Sequence, residues 1–150
     1  MTAIAEARLP LVLLVDPKVE SRHWMWRILN KAFGVIEATN AVGARRWIDE
    51  RPDIDAMIVD DELPDVRGID LIDALAREAH PIAERAIVLA SPGLRLHAGR
   101  RARQIVEPGD VHAILTKLTT WLVARDVGEA RLLLKELRDF PESSRRIRLS

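Results

Sequence analysis

Leu11-Val-Leu-Leu-Val15 is an unbroken apolar run that stops at Asp16-Pro17. A run of this kind suits a strand buried on both faces, as in a parallel sheet. Val19, Trp26, Leu29 and Phe33 then recur at helical spacing, which predicts a helix over 19–33 with Gly34 just past its end. Val35 to Ala38 reads as a short second strand. Ala41 to Glu50 reads as a helix with Ala44, Trp47 and Ile48 on one side, broken by Arg51-Pro52-Asp53. Asp55 to Val59 is a third apolar strand ending in Asp60, and the loop to Gly68 is punctuated by Pro64. A helix over 69–79 carries Ile69, Leu71, Ile72, Leu75 and Ala76, and Pro81 separates it from a fourth strand, Ala86 to Ala90. Ser91-Pro92-Gly93 is a turn, and Leu94 to Arg103 is open between a short helix and a loop because Gly99 interrupts it. Gln104 to Val106 is a short fifth strand. Asp110 is placed as an N-cap for a helix from Val111 to about Arg125.

Strands thus alternate with helices five times, which predicts a parallel sheet covered on both faces and joined by right-handed crossovers. Sites in such folds lie beyond the carboxyl ends of the strands, at a topological switch point. That directs attention to Asp16-Pro17, Asp60 to Gly68, Ala90-Ser91 and Glu107-Pro108. Asp16 and Asp60 converge if their strands are neighbours, and convergent carboxylates raise one another's pKa unless a cation or hydrogen bonds intervene. Oxygen ligands there suit Mg²⁺, and an aspartate there can act as a nucleophile toward phosphorus. The plainer alternative for either residue alone is a solvated polar strand end.

Composition narrows the chemistry a little. The 150 residues hold 48% apolar and 31% charged residues, the balance of a globular domain. Lys+Arg 23 equals Asp+Glu 23, so no general basic excess favours nucleic acid or an anionic membrane. No cysteine is present, which removes disulfides, thiol nucleophiles and Cys-type metal sites. His23, His80, His97 and His112 stand apart, without the spacing of a His metal site. Met1 to Pro10 carries Glu6 and Arg8 and lacks the apolar stretch of a signal peptide, so a soluble cytoplasmic protein is expected.

Met57-Ile-Val-Asp-Asp-Glu-Leu-Pro-Asp-Val-Arg-Gly68, Leu13-Leu-Val-Asp16 followed by Arg22, and Ile105-Val-Glu-Pro108 resemble the receiver domain of bacterial two-component response regulators. The resemblance runs from Leu11 to about Val123. It implies an α/β, flavodoxin-like (βα)5 fold with parallel strand order 2-1-3-4-5. It also implies a receiver-like domain over 9–125; the end of the chain departs from the family, and its own pattern predicts a helical extension and basic tail over 126–150. By the same resemblance Asp60 is the phosphoacceptor position and Asp16 the first acidic position that organises Mg²⁺. Glu62 matches the residue whose backbone carbonyl binds the metal, while Pro64 and Gly68 shape the loop. Ala90, Ser91 and Glu107 fall at the switch and phosphate-contact positions. A histidine kinase, or another signalling protein, is the implied partner.

The pattern is broken at several of these places. Pro17 stands where the family commonly has a second carboxylate, a direct metal ligand. Glu107 replaces the lysine that contacts the phosphoryl group, and a carboxylate there repels a dianion. Ala90 stands where a hydroxyl is expected, although a one-residue shift places Ser91 there. The stretch from Ala90 to Glu107 is short, so the fourth helix should be short, displaced or lost. Phosphoryl transfer relies on positioning and charge stabilisation, and these changes weaken both. The expectation is an atypical pseudo-receiver, not an enzyme, with a weak or absent Mg²⁺ site, acting through protein contacts. The alternative is a phosphorylatable receiver taking a phosphoryl group on Asp60.

Arg95, Arg100, Arg101 and Arg103 leave strand four without an intervening acid. One of them could stand in for the missing lysine or neutralise the acidic loop of Asp60, Asp61, Glu62 and Asp65; the plainer reading is a solvated basic face or partner surface. Trp24 and Trp26 cannot share one helix face, so either one is exposed for an interface or both are partly buried. Trp47 and Trp121 read as core. Ala130, Leu133, Leu134 and Leu137 form an amphipathic stripe beyond the domain. A homodimer through the fourth- and fifth-helix face and this extension is expected. An unrelated flavodoxin-like enzyme or nucleotide binder has little support, because Asp16-Pro-Lys-Val-Glu-Ser21 is no Gly-rich phosphate cradle. Nucleic-acid binding through the arginines is weaker still, since no recognisable binding fold accompanies them.

Overall fold

The computed structural model describes residues 9–122. Its elements alternate as β1 (Leu11–Val15), α1 (Val19–Leu29), β2 (Gly34–Ala38), α2 (Ala41–Glu50), β3 (Ala56–Asp60), α3 (Gly68–Arg77), β4 (Ala86–Leu89), α4 (Pro92–Arg95), β5 (Ile105–Val106) and α5 (Val111–Leu122). Short 3-10 helices occupy Pro81–Arg85 and Gly99–Gln104. The strands form one five-stranded parallel sheet in the order β2-β1-β3-β4-β5, as the sequence resemblance implied.

Apolar runs without polar alternation are what this sheet requires, because each strand packs on both sides. Leu13, Val15, Met57, Val59, Ala86, Val88 and Ile105 face one side, where Ala41, Ala44 and Ile48 of α2 and Leu71, Ile72 and Leu75 of α3 cover them. The intervening residues Val12, Leu14, Ala56, Ile58, Ile87, Leu89 and Val106 face the other side, under Met25 and Leu29 of α1 and the apolar face of α5. The period of two along each strand thus splits the core into two layers. Trp24, Trp26 and Trp121 lie at the margin of the second layer and Trp47 at that of the first, each partly buried. Both tryptophans of α1 therefore pack, and neither stands free; Trp47 and Trp121 are rim residues more than core.

Several boundaries differ from the sequence reading. α1 ends at Leu29, not Phe33, although Phe33 is buried to 1% exposure. A turn carries the chain from Asn30, and Phe33 donates its N–H to Leu29 O at 2.9 Å, so the apolar spacing continues where the helix does not. Gly34 opens β2, opposite Leu11, instead of capping the helix. α3 stops at Arg77, and Ala79 beyond it takes φ 57°, a left-handed conformation usually given to glycine. Gln104 belongs to a 3-10 helix, leaving β5 two residues long. The fourth helix is reduced to four residues, in line with the short or displaced helix expected. The helical extension and tail placed at 126–150, with their stripe and proposed dimer role, lie outside the described residues. No helix among the described residues is long and apolar enough to cross a membrane.

Candidate functional site at the carboxyl ends of the strands

β1 and β3 are direct neighbours, with Val15 beside Val59, so the next residues, Asp16 and Asp60, emerge side by side. Asp16 is buried, at 3% exposure. A buried carboxylate needs donors. Lys18 donates its backbone N–H to Asp16 Oδ1 at 2.8 Å, and the Ser21 hydroxyl donates to Oδ2 at 2.5 Å. Arg22 Nη1 donates to the Asp16 carbonyl at 2.8 Å and its Nε lies 3.3 Å from Glu37. Asp16 therefore acts here as the organiser of the β1–α1 turn, and Pro17 offers no second carboxylate beside it.

Asp60 is half-buried at the tip of β3. Its Oδ1 accepts the Glu62 N–H at 2.9 Å, and no described residue donates to its Oδ2. Burial pushes its carboxyl above the usual range and the neighbouring Asp16 charge adds to the rise, while the Glu62 N–H and the Lys18 ammonium oppose it. Glu62 itself is exposed and faces Arg67 in a lone antiparallel bridge.

The other acids of the loop have partners of their own. Asp61 is 2% exposed and is held by Arg67, whose Nε and Nη2 both donate to Oδ2, and by the Ile69 N–H, which donates to Oδ1 at 3.1 Å. Asp65 reaches across to α2, accepting the Ala41 N–H at 2.9 Å and the Val42 N–H at 3.0 Å. These bonds outweigh a desolvation effect of the opposite sign and hold its carboxyl below the usual range. Gly68 packs against the strand end: a Cβ there would lie 2.6 Å from the Asp60 carbonyl oxygen. The loop after Asp60 is thus fixed by an ion pair, a remote helix cap and a close backbone approach. Sequence reasoning missed Ser21, Lys18, Arg67 and the structural roles of Asp61 and Asp65. The signal for the first was present, since a hydroxyl in the first turn of α1 is in reach of a strand-end carboxylate.

Ala90 is buried and donates its N–H to Val106 O at 3.0 Å, whereas Ser91 is exposed and precedes α4 without a side-chain capping bond. Glu107 is exposed directly after β5, and Ala90 and Glu107 line a shared groove of about 500 Å³ with Arg95 and Lys117. The arginine stretch does not pair with the acidic loop. Arg95 Nη2 donates to Ile105 O at 2.7 Å, and Arg101 donates to Asp73 at 3.1 Å and to Gln104. Arg100 and Arg103 make no ion pair among the described residues. The acidic loop is therefore not neutralised by these arginines; Arg67, from within the loop itself, is the cation that meets Asp61. Among the described residues, no three His, Cys, Asp or Glu side chains come together as a metal-holding group.

No protein-family model matches the chain, and no curated protein matches it. Solved structures do resemble it. The signal receiver domain of an HD domain-containing protein from Pseudomonas fluorescens Pf-5 aligns with 78% of this chain and 97% of its own, with TM-score 0.66 and 21% identity. A CheX–CheY–BeF3–Mg complex from Borrelia burgdorferi aligns with 78% and 92%, with TM-score 0.61 and 19% identity. A response regulator receiver domain protein from Clostridium thermocellum aligns with 87% and 98%, with TM-score 0.60 and 16% identity. With its five-stranded parallel sheet in the order β2-β1-β3-β4-β5 and these structural likenesses, the chain has the fold of a response regulator receiver domain.

Proposed function

We propose that the chain is a receiver domain of the two-component type that acts as a pseudo-receiver, through protein contacts and without depending on a phosphoryl group. It is then a cytoplasmic signalling module and not an enzyme. The observation that carries this reading is the state of Asp16. Both of its carboxylate oxygens are engaged within the β1–α1 turn, and Pro17 follows it. A hard divalent cation needs oxygen ligands free to turn toward it. Of the donors implied for magnesium, Asp60 is the one carboxylate with an oxygen unengaged by any described residue. This set does not fit a magnesium site well. Glu107, exposed beyond β5, adds negative charge where a phosphoryl group would need a cation.

A second reading, phosphoryl transfer from a histidine kinase to Asp60, is favoured by one feature: Asp60 stands half-exposed at the tip of β3 with Oδ2 open. Restoration separates the two. With Mg²⁺ and acetyl phosphate, the native chain should gain no phosphoryl mass, and the double variant Pro17→Asp, Glu107→Lys should gain one on Asp60. Equal phosphorylation of both proteins would refute the pseudo-receiver reading. A signalling protein is the partner class this reading calls for, and a homodimer through the α4–α5 side is its simplest assembly; sedimentation of the full chain tests the latter.

A further inference from the structure

Between α3 and α5, where the shortened fourth helix leaves space, a groove of about 830 Å³ opens. Its walls come from the C-terminal halves of α3 and α5 and from the 3-10 helix Gly99–Gln104. That 3-10 helix precedes β5, so the groove lies toward the amino ends of the strands, away from Asp60. Five cationic side chains line it against two acids, Asp73 and Glu84.

The two acids serve one cation. Arg101 donates to Asp73 at 3.1 Å, lies 3.9 Å from Glu84 and donates to Gln104, while Gln104 donates to the carbonyls of Ala83 and Ala86 at 2.8 and 2.9 Å. Residues three apart eclipse one another in a 3-10 helix. Arg101 and Gln104 therefore form one ridge, turned inward and tied down. Arg100 and Arg103 form a second ridge, both exposed and unpaired among the described residues. They are offset by about 6 Å along the axis, from a rise of about 2.0 Å per residue. Lys117 adds charge across the groove, and Ala76 and the half-buried Trp121 give it an apolar floor.

We infer that this groove docks a partner helix that presents acidic side chains at i and i+4. Such side chains stand about 5–6 Å apart on a helix surface, which matches the offset of Arg100 and Arg103. The space is flanked by two helices, as in the helix-in-groove mode of recognition. The unpaired guanidinium groups supply steering and charge-assisted hydrogen bonds, and the half-exposed ring of Trp121 supplies an apolar contact for the flank of the partner helix. A phosphate-bearing ligand is less well served, because the helical walls come from C-terminal halves and present no cluster of free N–H groups.

The test is fluorescence anisotropy of the full chain with an Ala-based helical peptide. The peptide carries Glu at i and i+4 beside a Leu flank, and a control peptide carries Lys in place of Glu. The Glu peptide should bind, more weakly at high salt, and the Lys peptide should not. Arg100→Glu with Arg103→Glu should weaken binding at least tenfold without moving the thermal midpoint, since both side chains are exposed. The inference is overturned by no binding of the Glu peptide, by equal binding of the Lys peptide, or by unchanged binding to the double variant. It is equally overturned if inorganic phosphate or a nucleotide displaces the peptide more effectively than free Glu peptide does. Self-association that the double variant abolishes would make a second copy the occupant and overturn it too.

Discussion

Asp65 shows how a residue that reads as part of an acidic cluster can serve a neighbouring element. Its carboxylate is the N-terminal partner of α2, taking two N–H groups that the helix cannot satisfy internally, beside the Asn40 side chain that takes the Gly43 N–H at 2.7 Å. Asp65→Ala should cost about 1 kcal/mol, the usual value of a lost helix cap, read by urea unfolding at neutral pH. The carboxyl is held below its ordinary range, so its contribution is complete above the unfolded aspartate value. It disappears as pH falls through the folded value, and the difference between native chain and variant should close there. Ala79 is the opposite case, a residue held in a conformation it disfavours at φ 57°. Ala79→Gly should raise stability by up to about 1 kcal/mol in the same assay, and a loss would show that the left-handed turn is not strained.

At the scale of elements, the strands were the most legible part of the sequence. Leu11–Val15 and the residues of β3 before Asp60 are apolar runs because both faces are covered, and α2 was bounded at its end by Arg51-Pro52, while its cap, Asn40, was not singled out. Asp110 caps α5 as its spacing indicated, accepting the Ala113 N–H at 3.2 Å. The end of α1 was not legible, since Phe33 keeps the helical period while its backbone has already turned. Nor could the sequence say which cation meets which acid. Arg101 finds Asp73 on α3, and Arg67 finds Asp61 six residues away, because the truncated fourth helix and the tight β3–α3 loop decide which charges are close. The 3-10 helix before β5 depends on Gln104, whose side-chain amide donates to the carbonyls of Ala83 and Ala86 at the entry to β4. Gln104→Ala should cost about 1–3 kcal/mol by leaving those groups without that donor, with hydrogen exchange rising first across residues 99–106.

For the whole molecule, equal numbers of acidic and basic residues conceal a separation by place. Asp16, Asp60, Asp61 and Glu62 gather at the carboxyl ends of β1 and β3, while Arg100 and Arg103, unpaired among the described residues, line a groove toward the opposite end. The strand-end pair was legible in the sequence; the groove was not, because it exists only where a helix is missing. The fold keeps the frame of a receiver while the β1–α1 turn absorbs Asp16 and the end of β5 carries Glu107. The most direct measurement is the intact mass of the full chain after incubation with Mg²⁺ and acetyl phosphate, followed over time. Pseudo-receiver action requires an unchanged mass throughout. A phosphoryl gain that hydroxylamine removes and Asp60→Asn abolishes would contradict it.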